Sequence, residues 1–116
     1  MDLCSRWLIL IFVHAFSDFF LQPGKLAREK TKKFSCLLLH SIQYILPFLF
    51  LFFFMKISFF WLPILFVSHL LIDNYALVKA WNKLLGRKRT PDWLLVIEDQ
   101  ILHLTVLLFV ARWPSL

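Results

Sequence analysis

Residues 34–78 read FSCLLLHSIQYILPFLFLFFFMKISFFWLPILFVSHLLIDNYALV, and across these 45 positions the only charged side chains are Lys56 and Asp73. One unbroken helix of that length would run about 68 Å, more than twice a hydrocarbon core of about 30 Å. The chain must therefore turn back within the run. Lys56, in Met55-Lys56-Ile57-Ser58, is the predicted hairpin tip, which gives apolar spans at 34–55 and 57–78. Working outward, residues 3–21 form a first span ended by the breaker Gln22-Pro23-Gly24. Residues 92–110 form a fourth, entered through Thr90-Pro91-Asp92, where proline suits a helix start. Pro47 and Pro63 fall inside or near the ends of spans two and three and are candidate kinks.

Composition agrees with lipid as the outer solvent. Hydrophobic residues make up 60% of the 116-residue chain, with 14 Phe and only 2 Gly, whereas a soluble domain runs about 45–50% apolar. A water-soluble fold of this size could not bury so much apolar surface. The expectation is one all-α membrane domain over residues 1–116, a four-helix transmembrane bundle. No small-residue cleavage site follows the first apolar segment, which carries His14 and Asp18, so it is expected to stay as a span rather than act as a cleaved signal. Trp7, Trp61, Trp81, Trp93 and Trp113 sit near the span ends and read as interfacial anchors.

Ten of the thirteen basic residues lie in two loops: Lys25, Arg28, Lys30, Lys32 and Lys33, then Lys79, Lys83, Arg87, Lys88 and Arg89. Arg6, Lys56 and Arg112 fall on the other side. The positive-inside rule places both basic loops in the cytoplasm and both termini outside, a multi-pass protein of a bacterial inner membrane. Membrane lipid is the expected partner of these runs. Nucleic acid is not, since the runs flank spans directly and lack interleaved aromatic platforms.

The four histidines fall one per span, and three stand four residues from an aspartate: His14/Asp18, His69/Asp73 and Asp99/His103, with His40 alone. Side chains at i and i+4 share a helix face, about 5–6 Å apart. An ionised aspartate near the bilayer centre costs about 2.5–3.5 kcal/mol on insertion scales. Counting about 1.5 Å of rise per residue from the cytoplasmic ends, Asp18, Asp73, His40 and Asp99 lie about 7–12 Å deep. His14, His69 and His103 form a second layer one turn deeper. The order reverses to Asp-then-His in span four, as an upward helix must if it is to match two downward ones.

Imidazole and carboxylate are ligands for zinc, manganese and iron, and helix bundles build metal sites from facing helices. Seven candidates, His14, Asp18, His40, His69, Asp73, Asp99 and His103, exceed the four ligands of one structural zinc. Either two ions share the pocket, or some aspartates orient a metal-bound histidine. Asp18, Asp73 and Asp99 are also the candidate catalytic carboxylates. Gln22, Gln43, Asn74 and Gln100 are expected to hydrogen-bond between helices, Glu98 to enter the site or pair with a loop lysine, and Ser17 and Ser68 to pack. Cys4 and Cys36 are expected as separate free thiols.

The strings His14-Ala-Phe-Ser-Asp18-Phe-Phe-Leu-Gln22, Leu37-Leu-Leu-His40, Ser68-His69-Leu-Leu-Ile-Asp73 and Asp99-Gln100-Ile-Leu-His103 resemble small bacterial membrane proteins grouped as domain of unknown function 3307. More distantly the chain is similar to inner-membrane proteins described as metal-dependent hydrolases, which also carry intramembrane His and Asp. The resemblance implies a basic residue about three positions after Asp73; Ala76 stands there instead, with Lys79 further on. The reading that follows is a metal-dependent hydrolase of a lipid-borne or phosphate-ester substrate, holding one or two divalent ions with zinc foremost. The alternatives are a metal-ion or proton transporter or channel subunit, and a non-catalytic subunit whose polar core pairs helices. A chain with so little outside the membrane is also a candidate for a homo-oligomer or a larger membrane complex.

Overall fold

The computed structural model describes residues 1–21, 24 and 29–116. The breaker residues Gln22 and Pro23, and Lys25 and Arg28 of the first basic loop, lie outside the described residues. Those described form helices and connections with no strand. Helix α1 (Leu3–Ala15) continues as a π-helical turn, Phe16–Phe20; then come α2 (Phe34–Met55), α3 (Trp61–Asp73), α4 (Ala76–Leu84) and α5 (Asp92–Arg112). Leu3–Phe20, α2 and α5 are each long and apolar enough to cross a membrane, and α3 with α4 supplies a fourth span if that bent pair is one. Around the bundle α1 packs on α2 and α5, and α3 packs on α2 and α5, while α4 leans on α3 and α5.

The hairpin between α2 and α3 is set by Lys56, which adopts the left-handed conformation (φ 54°) as the residue past the helix end. The Lys56 amide donates to the Phe53 carbonyl and the Ile57 amide to Phe52, while Ile57 and Phe52 are both buried in the core. This is the paired-bond helix stop with its usual apolar contact. The third helix departs from the expected 57–78 span in two ways. It starts only at Trp61, because residues 57–60 make a turn whose Ser58 amide donates to the Pro114 carbonyl. It also breaks after Asp73, where Asn74 Oδ1 accepts from the Ala76 amide, Tyr75 turns left-handed (φ 63°), and α4 leaves at 56° to α3.

The interior has two layers. Toward the Lys56 end lies a dry cluster of Leu10, Phe48, Phe52, Ile57, Trp61, Leu65, Leu107 and Val110, joined at its base by Tyr44. Toward the basic loops lies a layer of histidine and aspartate. The outside is inverted relative to a soluble protein: Phe12, Phe53 and Phe54 are 74%, 70% and 77% exposed, while the His/Asp side chains are buried. Lipid contact on the outer face accounts for both facts.

Candidate metal centre

The first span brings His14 and Asp18 inward by way of the π-helical turn. There the Leu21 amide reaches back five residues to Phe16, leaving the Ser17 carbonyl free to accept a 2.7 Å bond from Gln43 Nε2 on α2. Such turns are rare and recur at functional sites, because the extra residue re-aims a side chain. Asp18, within the turn, meets His40 Nε2 at 2.9 Å through Oδ1.

Asp73 is the hub. Its Oδ2 lies 3.2 Å from His40 Nε2, 3.7 Å from His69 Nε2 and 2.8 Å from Lys30 Nζ, and its Oδ1 lies 3.7 Å from His103 Nε2. His103 Nε2 in turn stands 3.7 Å from Asp99 Oδ1. Two groups of ligand atoms close enough to hold an ion result: Asp18, His40, His69 and Asp73, and Asp73, Asp99 and His103. All six residues are buried, and Asp73 belongs to both.

Both ring nitrogens of His69, with His103 Nε2 and Asp99 Oδ1, have no hydrogen-bond partner among the described residues. A buried unpaired polar atom costs about 1–3 kcal/mol, and several facing one another form a donor set that a bound cation would satisfy. The donor set, imidazoles with carboxylates, suits a divalent transition ion. The residues fit a metal.

His14 stands apart from both groups. Its Nδ1 faces the Tyr44 hydroxyl at 2.7 Å and its Nε2 faces Gln100 Oε1 at 2.9 Å. Gln100 Oε1 is an acceptor, so the His14 proton facing it sits on Nε2, and in the neutral ring Nδ1 then accepts from the Tyr44 hydroxyl. Gln100 Nε2 donates to Asp99 Oδ2 at 3.1 Å and approaches Asp18 Oδ2 at 3.4 Å, bridging the two groups. Tyr44 and His14 thus hold Gln100, which in turn holds the Asp99 and Asp18 carboxylates, and none of the three belongs to either ligand group.

Two contributors escaped the sequence reading. Tyr44, four residues after His40, stacks on His69 at 3.9 Å between centroids, and its i+4 spacing was a usable signal. Lys30 carried none, being one base among five in its loop. Burial alone would lower the Lys30 ammonium pKa, but the adjacent Asp73 carboxylate outweighs it and the pKa rises above the ordinary lysine value. Of the expected polar links, Gln43 and Gln100 do cross between helices, whereas Asn74 serves its own turn. Gln22 lies outside the described residues. Glu98 belongs to neither ligand group and pairs with Arg87 (2.8 Å) rather than a lysine. Ser68 bonds the Leu65 carbonyl, and Cys4 and Cys36 are free thiols.

Residues 7–115 match the family described as protein of unknown function (DUF3307). The chain belongs to that family. The match takes in all six grouped ligands as well as Lys30, Tyr44 and Gln100. No curated protein and no solved structure matches, so no activity is carried over by likeness.

Proposed function

We propose that the protein is an integral membrane hydrolase that holds two divalent transition ions, zinc foremost, and cleaves a phosphate ester carried by a lipid. The observation that supports this most is the place of Asp73 in both ligand groups, with one carboxylate oxygen toward His40 and His69 and the other toward His103. A carboxylate shared in this way is the ordinary bridge of two-metal hydrolytic sites. When bound, such ions supply a water acidified toward neutral pH and polarise the phosphoryl oxygens.

The chain's own residues divide the remaining work. Asp18, His40 and His69 complete the more saturated group. Asp99 and His103 leave the other with fewer protein ligands, and an open position is what a catalytic site keeps. Asp99 is held through Oδ2 by Gln100, which leaves Oδ1 turned toward His103 to serve the second group. Lys30 comes from the loop side and supplies a cation where an anionic substrate would enter.

The dry layer of Leu10, Phe48, Phe52, Leu65 and Leu107 favours this reading over transport, because it offers an ion no polar route beyond the site. Liposomes containing the purified protein and a metal-sensitive dye test it. The expected result is no metal flux, with metal-dependent release of phosphate from a phospholipid or isoprenoid phosphate that disappears in Asp99→Asn. Flux that is lost in Asp18→Asn and Asp99→Asn would overturn the hydrolase reading.

A further inference from the structure

From Asn74 to Pro91 the sequence has five basic residues and no acidic one. The fold gathers four of the five. Gly86 is left-handed (φ 73°), its amide donates to the Lys83 carbonyl and the Arg87 amide donates to Asn82, so α4 stops and the chain turns back toward α5. The turn borders an open pocket of about 460 Å³ whose lining includes Lys79, Lys83, Arg87, Lys88, Asn82 and Thr90.

The pocket wall is built, not incidental. Asn82 is 3% exposed; its amide donates to the Val78 carbonyl (2.8 Å) and to Glu98 Oε2 (2.6 Å), and its Oδ1 accepts from Arg87 and from the Thr90 hydroxyl, each at 3.0 Å. Glu98 neutralises Arg87 and fixes its guanidinium. Lys79, Lys83 and Lys88 have no carboxylate partner among the described residues. Three uncompensated ammonium groups around one pocket call for an anion.

The position of the pocket says which anion. Thr90 and Leu95, in its lining, flank the first turn of α5, the end of a span. Opposite the lysines, α4 exposes Leu77, Trp81 and Leu84. A helix with lysines on one side and Leu and Trp on the other suits the membrane interface, and Trp81 and Trp93 are both exposed, as interfacial anchors are. We propose that the α4–α5 turn binds the phosphate of an anionic membrane glycerophospholipid. The site is separate from the metal centre and does not depend on it. Nucleic acid fits less well, because Trp81 faces away from the lysines and leaves no stacking platform beside them.

Native mass spectrometry of the full chain, released from neutral detergent with phosphatidylglycerol or phosphatidylcholine present, tests the proposal. Phosphatidylglycerol is expected to be retained in preference to phosphatidylcholine. The exposed-site variant Lys79→Gln/Lys83→Gln/Lys88→Gln is expected to weaken it by more than about tenfold, and Lys83→Gln alone, the milder change, by about fivefold. Lys32→Gln/Lys33→Gln, in the other basic loop, should leave it unchanged. Equal retention of the two lipids, equal loss in both sets of variants, or displacement by millimolar inorganic phosphate would each overturn the proposal.

Discussion

Asp73 carries more of this molecule than any other side chain, since three histidines and Lys30 converge on one carboxylate. Removing the Lys30 ammonium takes one positive partner from that carboxylate in the metal-free protein and leaves it to the histidines, His40 nearest at 3.2 Å. Lys30→Met is therefore expected to lower stability by about 1–3 kcal/mol without metal, and by clearly less once metal is loaded and takes over the neutralisation. Reversible unfolding in mixed micelles, with and without added zinc, measures both; equal losses in the two states would mean that Lys30 and metal do not share Asp73. The histidines and aspartates were readable as a site because ionisable groups are so costly inside apolar spans that each needs a reason. Lys30 was not readable, because a lysine in a basic loop looks the same whether it faces water or reaches 2.8 Å from a buried carboxylate.

At the scale of elements, apolar runs and breakers located the helices, while local backbone exceptions shaped the site. The hairpin at Lys56 followed from the length of the run between Phe34 and Val78. The π-helical turn at Phe16–Phe20 and the break at Asn74–Tyr75 did not, since both depend on tertiary partners: Gln43 for the freed Ser17 carbonyl, and the packing of α4 on α3 and α5. Lys56 shows what such exceptions cost. A left-handed non-glycine residue is disfavoured by roughly 1–2 kcal/mol, and glycine avoids most of that at some entropic cost. Lys56→Gly is thus expected to stabilise the bundle by about 0.5–1 kcal/mol, read as a higher midpoint in the same unfolding assay. A lower midpoint would show that the Lys56 side chain contributes more than its backbone strain removes.

The whole molecule is an inside-out arrangement, with phenylalanines turned outward and the ionisable groups enclosed between a dry layer and two basic loops. Composition made the lipid-facing exterior legible; the division of seven candidate ligands into two groups sharing Asp73, with His14 set aside, needed the packed helices. Ten basic residues on one side against three on the other predict that both loops face the cytoplasm. In a chain lacking Cys4 and Cys36, a cysteine replacing Lys88 should resist an impermeant thiol reagent in intact cells and react after permeabilisation; reaction in intact cells would reverse the orientation. The central claim, a two-ion centre bridged by Asp73, is tested most directly by elemental analysis of untagged protein purified without added metal. The account predicts about two transition-metal ions per chain, about one in Asp99→Asn and close to none in Asp73→Asn. Metal-free wild-type protein that also takes up none on incubation, or Asp73→Asn with its metal content unchanged, would contradict it.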